Sequence, residues 1–345
     1  MPQNGQFDVR AIRGTRMLRS APIDKIVAHR LLERHAGRKL PIVGFESRTT
    51  IPEDEWADWL KRDEFPIDLG KWKYHGHAGS ASEFVAQKFG LKPSRAEQEL
   101  VNLVNRNNKS GCLKELFASV VWLLRDLYEV GYQPIEVIDR VSRVIDAWLA
   151  VYEDDVIAHR SGKGVWDSYP QYQELRSGKT GPLTLANFFE NLWRLEADRS
   201  YAEAEMDWWF VGYCKVRDEQ DRGKHELPAT SLHEFTAGDL ACAAIRTGNK
   251  FIIRAATKLY DLVVVMNPDG HAAIMSNGKD LTGLANELER REPTACWHWQ
   301  RNQGVLVNGG LIYRGAPATS LAYMELVKLV QTHPPTKHQR VPTSS

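Results

Sequence analysis

The sequence predicts an α/β protein in two parts: an N-terminal domain on a parallel sheet, extended by a helical region, and a smaller C-terminal α+β domain. Three observations carry that reading. Over residues 1–90, short apolar runs alternate with stretches of helical spacing, as in βαβ units. From residue 113 to about 160 the spacing is helical throughout. Beyond residue 230 the apolar runs return as close pairs joined by turn sequences.

Composition fits this picture. A chain of 345 residues exceeds one ordinary core and suits two domains. Its 43% hydrophobic and 26% charged residues are those of a globular protein. Forty-five Lys and Arg stand against 44 Asp and Glu, so no overall field draws nucleic acid or an anionic membrane. Cys112, Cys214, Cys242 and Cys296 are widely spaced, which argues against a zinc ribbon and suits thiols in a reducing compartment. Charges at Asp8, Arg10 and Arg13 replace the apolar core of a signal peptide, and no apolar run reaches about 18 residues. The expectation is a cytoplasmic protein with no membrane partner.

In order along the chain, Val9 to Ile12 reads as a first strand. Pro22 suits the first turn of a helix carrying Ile23, Ile26, Val27 and Leu31. Leu40 to Phe45 reads as a second strand, "IPEDEWADWLKR" as a helix with an acidic start, and Phe65 to Leu69 as a third strand. Asp68 then falls near the carboxyl end of a strand, the edge where open α/β sheets bind ligands. Gly70 to Gly79 form a loop holding His75 and His77, and Ser80-x-x-Glu83 is a capping box opening a helix lined by Ala81, Val85 and Phe89 and ended by Gly90. An aspartate at a strand end followed by two histidines in a tethered loop is half of a metal site. The competing reading makes Asp68 a loop cap and the histidines solvated.

The helical region carries two stripes, Leu116, Phe117, Val120, Leu124 and Leu127, then Ile138, Val141, Ile145 and Trp148. These close a domain over residues 1–160. Residues 161–229 read as a linker rich in Ser, Gly, Pro and Lys followed by connecting helices, in which Trp208-Trp209-Phe210 is a packing element. Residues 230–332 form the C-terminal domain. Asn267-Pro268-Asp269-Gly270 joins a hairpin, "LTGLANELERRE" is a helix, "GVLVNGGLIYRG" is strand-turn-strand, and "PATSLAYMELVKLV" is a closing amphipathic helix. Residues 333–345 read as a disordered tail.

The order of motifs resembles the DHH phosphoesterase superfamily, in particular its melanocyte-proliferating-gene branch of manganese-dependent 3′–5′ RNA exonucleases. "GTRMLRSAPIDKIVAHRLL" stands where that branch has Gly-Thr-His…His-x-Asp-Asp/Glu. "IDLGKWKYHGHAGSASEFVAQKFG" stands where it has Asp-Val-Gly-Gly…Tyr-Asp-His-His…Phe-Gly. "LVNLVNRNNKSG" matches a segment ending Asp-Asn-Gly, and the closing strand, glycine turn and helix match "GVLVNGGLIYRGAPATSLAYMELVKLV". Against that pattern Arg16 and Pro22 replace histidines, and Lys25 replaces the acidic neighbour of Asp24. His75 replaces Asp, Gly76 replaces the first His of the pair, and His77 keeps the second. Asn107 replaces an Asp and Asn308 a His.

The resemblance implies a DHH-type fold and a ligand set of Asp24, Asp68, His75 and His77, a mixed His and carboxylate site suited to Mn²⁺ or another divalent ion. Those four are also the catalytic residues it implies. Gly309, Gly310 and Arg314 would hold a substrate phosphate, although Gly309-Gly310 also reads as a plain hairpin turn and Arg314 as a surface ion pair. Lys250, Arg254 and Lys258 would line one helix face, either meeting phosphates or simply solvated. The expected activity is metal-dependent hydrolysis of phosphodiesters in RNA ends or small nucleotides, with nucleotide or single-stranded RNA as partner. The alternative is an eroded relative that binds nucleic acid, nucleotide or protein. No GxGxxG, P-loop or GxSxG motif supports a dinucleotide, nucleoside-triphosphate or serine-hydrolase reading.

Overall fold

A computed structural model describes residues 8–47, 51–69, 79–113, 116, 118–160, 166–177, 181–276, 279–300, 304–308 and 317–337. The chain divides into two compact units, residues 1–216 and 217–345.

The first unit holds a three-stranded parallel sheet, β1 (Gly14–Leu18), β2 (Ile42–Glu46) and β3 (Glu64–Pro66), in the order β2-β1-β3. β1 connects to β2 through α1 (Ile23–Ala36), and β2 to β3 through α2 (Glu53–Lys61). The alternation of β1 decides which helix covers which face. Thr15 and Met17 point to α1, where Thr15 Oγ1 meets His29 Nδ1 at 3.0 Å, while Leu18 packs with Trp56 and Trp59 of α2. Arg16 lies on the α2 face, paired with Glu46 of β2 at 3.1 Å and Glu64 of β3 at 2.7 Å, its guanidinium 4.6 Å from the Trp59 ring centroid. Gly44 makes room for it, since a Cβ there would stand 2.5 Å from Arg16 Nη1.

Helices complete the unit: α3 (Ala81–Lys88), α4 (Arg95–Ser110), α5 (Val120–Glu129), α6 (Pro134–Glu153), α7 (Asp155–Ala158), α8 (Pro170–Leu175), α9 (Leu185–Arg194) and α10 (Arg199–Glu226), the last running past the boundary between units. Their starts follow the expected chemistry: Ser94 and Glu97 form a full capping box on α4, and Pro134 and Pro170 sit at the first positions of α6 and α8. α1 is buried on every side, so its charges need partners. Arg30 pairs with Glu33 and with Asp146 of α6, and Glu33 also accepts from the Leu40 N–H at 2.8 Å.

The second unit carries a six-stranded mixed sheet of order β4-β5-β6-β7-β10-β9. Its strands are β4 (Leu232–Ala237), β5 (Leu240–Arg246), β6 (Leu262–Met266), β7 (Ala272–Ser276), β9 (Trp297–Gln300) and β10 (Val305–Asn308), with β5 and β6 the parallel pair. α11 (Lys250–Leu259), α12 (Thr282–Arg291) and α13 (Tyr323–Thr332) accompany it, and β8 (Lys279–Asp280) pairs with β11 (Thr336–Lys337). The expected hairpin is present: β6 and β7 are antiparallel, the Asn267 N–H donates to the His271 carbonyl at 2.8 Å, and Gly270 supplies a φ of 85°.

The α/β architecture with a parallel sheet, a helical mass and a separate mixed sheet agrees with the sequence reading, and several local details differ. Val9–Ala11 is a 3₁₀ turn, because Asp8 Oδ1 accepts from the Arg10 N–H, and the first strand starts at Gly14. The third strand ends at Pro66, since Asp68 adopts a left-handed φ of 53°. Within residues 161–183, Trp166, Tyr172 and Leu175 are buried in the first unit's core. Trp209 is fully buried there, as expected of a packing residue. Within the segment read as a tail from 333, Thr336–Lys337 form β11 and pair with β8. Among the described residues no helix is long and apolar enough to cross a membrane.

Candidate functional site

The carboxyl edge of the parallel sheet is where the candidate residues meet. β1 lies between β2 and β3, so its two neighbours are reached by connections running to opposite sides, and the strand ends there form the switch point at which open α/β sheets bind ligands. α1 starts directly after β1 and places Asp24 and Lys25 in its first turn. β3 delivers Asp68 two residues past its last pair; aspartate is one of the few side chains that tolerate the left-handed backbone found there.

Lys25 defines the electrostatics. Its Nζ lies 2.7 Å from Asp68 Oδ2, and the two side chains are only 7% and 12% exposed. Asp24 is fully enclosed and has weaker company. Its Oδ2 accepts from the Ala81 N–H at 3.4 Å and from the Asn108 amide at 3.5 Å, both long for hydrogen bonds. Burial therefore pushes the Asp24 carboxyl above its ordinary pKa. The Asp68 charge adds to that rise, while Lys25 and the two weak donors pull against it.

The N-terminus of α3 closes the other side. Ser80 Oγ accepts from the Glu83 N–H at 3.1 Å, as the capping box predicts. The Glu83 carboxylate reaches the Gly79 N–H at 2.5 Å and the Asn105 amide at 2.9 Å instead of completing the box. A Cβ at Gly79 would stand 3.0 Å from Asn105 Cγ, so a side chain at this junction would require Asn105 to shift. Asn108 donates to the Gly79 carbonyl at 3.2 Å as well as to Asp24. Sequence reasoning missed Asn105 and Asn108. The available signal was their spacing of three on α4, which puts both on one helix face.

The other sequence-derived positions divide into three groups. His75, His77, Gly309, Gly310 and Arg314 lie outside the described residues, as does Gly76. Asn107, aligned with an aspartate of the exonuclease branch, serves the chain end of α4, its Oδ1 accepting from the Leu113 N–H at 3.1 Å. Asn308 is buried at the end of β10, where its amide donates to the carbonyls of Ala295 and Pro317. On α11, Lys250 and Lys258 are exposed and Arg254 is half-buried, its guanidinium 5.6 Å over the Phe251 ring.

Asp24 and Asp68 thus share one sheet edge, and as arranged this pair does not fit a divalent ion. The Asp68 carboxylate already holds an ammonium, so an entering ion would have to displace Lys25 from a nearly buried pair. Among the described residues, no group of three or more His, Cys, Asp and Glu side chains could hold a metal.

No family model matches the chain, and no curated protein matches it in sequence. Among solved structures, the crystal structure of exonuclease RecJ bound to manganese aligns over 96% of this chain and 96% of that one, at 12% identity and a TM-score of 0.37. An alignment at that level fixes no correspondence between individual residues.

Proposed function

We propose that this chain is a catalytically eroded relative of the DHH phosphoesterases, one that binds a nucleotide or the end of a single-stranded RNA without hydrolysing it. The observation that carries this reading is the buried contact of 2.7 Å between Lys25 Nζ and Asp68 Oδ2. In the exonuclease branch that the sequence resembles, an acidic residue stands at position 25 and the equivalent of Asp68 binds manganese. Here an ammonium neutralises that carboxylate.

The energetics favour the substitution over shared occupancy. A unit charge 4 Å from another costs or contributes about 4 kcal/mol at an effective dielectric constant of 20, and a divalent ion doubles the repulsion from Lys25. An entering ion would also have to break a nearly buried pair. A bound ion would supply an activated water as nucleophile; a lysine ammonium supplies fixed positive charge only. Binding without turnover is supported by the position of Asp24, Lys25 and Asp68 at the switch point of the sheet and, in the second unit, by the exposed basic side chains Lys250 and Lys258 of α11.

The test restores the acidic neighbour. Mn²⁺ is titrated into wild type and Lys25→Asp while melting is followed. A ligand binding only the folded state at a hundred times its Kd stabilises by about 2.7 kcal/mol. The expected result is a rise for Lys25→Asp, none for wild type, and no wild-type cleavage of a short single-stranded RNA that the protein nevertheless retains on a filter. Mn²⁺-dependent cleavage by wild type, lost in Asp68→Asn and His77→Ala, would instead establish Asp24, Asp68, His75 and His77 as an active metal site.

A further inference from the structure

A second site lies within the first unit, away from the sheet edge and independent of the reading above. Where α8, α9 and α10 begin or end, a cavity of about 620 Å³ opens, lined chiefly by Trp166, Tyr169, Trp193, Arg160, Glu196 and Arg199. Its size is that of a small-molecule pocket. The lining combines three aromatic rings with two guanidinium groups and a single carboxylate.

The walls are built rather than incidental. Trp166 is 4% exposed, its Nε1 donating to the Phe189 carbonyl at 2.9 Å, and Tyr169 meets it edge to face with ring centroids 5.5 Å apart. Arg199 Nη2 donates to the Tyr169 hydroxyl at 2.7 Å and its Nε to Glu203 at 2.9 Å, which holds the guanidinium at the rim. Arg160 Nη1 donates to the Arg194 carbonyl at 3.0 Å and to Glu196 at 2.8 Å. The Glu196 side chain is 77% exposed, so a carboxylate or phosphate can displace it from Arg160 at little cost.

Glu196 is also the one strained residue of the lining. It follows α9 with a φ of 54°, while its N–H donates to the Trp193 carbonyl and that of Ala197 to Leu192. That is the left-handed position where helices ordinarily place glycine. A glutamate there costs backbone energy and sets a carboxylate against the arginine at the rim.

The structure assigns to this cavity a planar aromatic anion of mononucleotide size, its ring against Trp166, Tyr169 and Trp193 and its anionic group on Arg160 and Arg199. Rings supply flat contact area, and a guanidinium recognises phosphate or carboxylate through paired donors. Neither half suffices alone, which gives the test its form.

Binding to the full-length protein is measured by calorimetry with four probes: AMP, adenosine, inorganic phosphate and indole-3-acetate. Saturable binding of AMP at sub-millimolar concentration is expected, with adenosine and phosphate at least tenfold weaker. Indole-3-acetate distinguishes the anion: binding equal to AMP generalises the site to carboxylates, and weaker binding restricts it to phosphates. Arg160→Gln and Trp193→Phe should weaken AMP at least fivefold, and Glu196→Gly should tighten it about threefold while raising the melting temperature. Trp193→Phe keeps a ring of lower contact area, so the arm does not depend on a cavity-forming variant that unfolds. No AMP binding at 1 mM, or binding that all three variants leave unchanged, overturns the assignment. A loss of AMP affinity in Arg160→Gln and Trp193→Phe assigns the ligand to this cavity and not to the sheet edge.

Discussion

Asp68 and Asn308 each stand at or just beyond the end of a β-strand, one in each unit, and each is a polar side chain largely withdrawn from water that needs partners there. The two units settle the position in opposite ways. At Asp68 the charge is kept and met by another charge, Lys25, brought in by the first turn of α1. At Asn308 there is no charge, and a neutral amide donates to the backbone carbonyls of Ala295 and Pro317. A charged pair costs desolvation on both sides and makes each member depend on the other. A neutral amide is anchored at lower stakes, and among the described residues Asn308 Oδ1 has no hydrogen-bond partner. The difference should appear in how each unit responds to losing one partner.

The largest effect is expected at the charged position. Lys25→Met leaves the Asp68 carboxylate buried without its ammonium and should cost about 3–5 kcal/mol in the unfolding transition of the first unit, measured in urea. Asp68→Asn in the Lys25→Met background should recover most of that loss, since asparagine tolerates the left-handed backbone as aspartate does. A single variant within 1 kcal/mol of wild type would mean that the pair is exposed in solution and that the contrast with Asn308 is empty.

Next comes His29, buried on the same helix. Burial and the charge of Arg30 push its pKa down from 6.5 to about 4, with Glu33 pulling the other way. The folded value is depressed, so the contribution is present in full above the unfolded value and is lost as pH falls through the folded one. The interval is pH 6.5 to about 4. About 3 kcal/mol of stability should disappear across it, and His29→Gln should flatten that slope. Equal slopes in the two proteins would place the titration elsewhere.

The sequence made the α/β class and the sheet edge legible because both rest on periodicity and on caps: the apolar runs from Leu40 to Phe45 and from Phe65 to Leu69, the acidic start of α2, and Ser80 ahead of Glu83. The first strand, expected from Val9 to Ile12, lies at Gly14–Leu18. The sequence placed Asp68 at the carboxyl end of a strand and marked Lys25 as the replacement of an acidic neighbour of Asp24. It could not show that the ammonium bonds Asp68 directly, because that contact joins residues 43 positions apart and depends on how α1 seats on the sheet. Arg16 shows the same limit. Nothing in "GTRML" tells that its side chain spans three strands between Glu46 and Glu64. The spacing of Asn105 and Asn108 marked one helix face, but not the role of Asn108, which comes from the packing of α4 against the Gly79 junction.

On the neutral side of the comparison, Asn308→Ala should cost about 1–3 kcal/mol, the range for leaving buried carbonyls without a donor. Thermal unfolding of the second unit reports it. A loss as large as that of Lys25→Met would erase the distinction between charged and neutral replacement. A negligible loss would mean that the carbonyls of Ala295 and Pro317 find other donors.

The smallest effect, and the most informative in sign, concerns Asp24. Its carboxyl is raised above its ordinary pKa by burial first and by Asp68 second. A raised folded value means that the contribution is present in full below the unfolded value and is lost as pH rises through the folded one. Above the carboxylate range the fold therefore disfavours the ionised form of Asp24 relative to the unfolded chain, and Asp24→Asn removes that cost while keeping the shape and both hydrogen-bonding neighbours, Ala81 and Asn108. The variant should melt slightly higher than wild type at pH 7, and the gain should shrink to nothing as the pH falls through the carboxylate range. A divalent ion at this edge reverses the sign, because a cation favours the ionised form; Asp24→Asn would then lower the melting temperature in the presence of Mn²⁺ and by less in its absence. Melting curves of the two proteins with and without Mn²⁺, at pH 5 and pH 7, distinguish an edge closed by Lys25 from one that still accepts an ion.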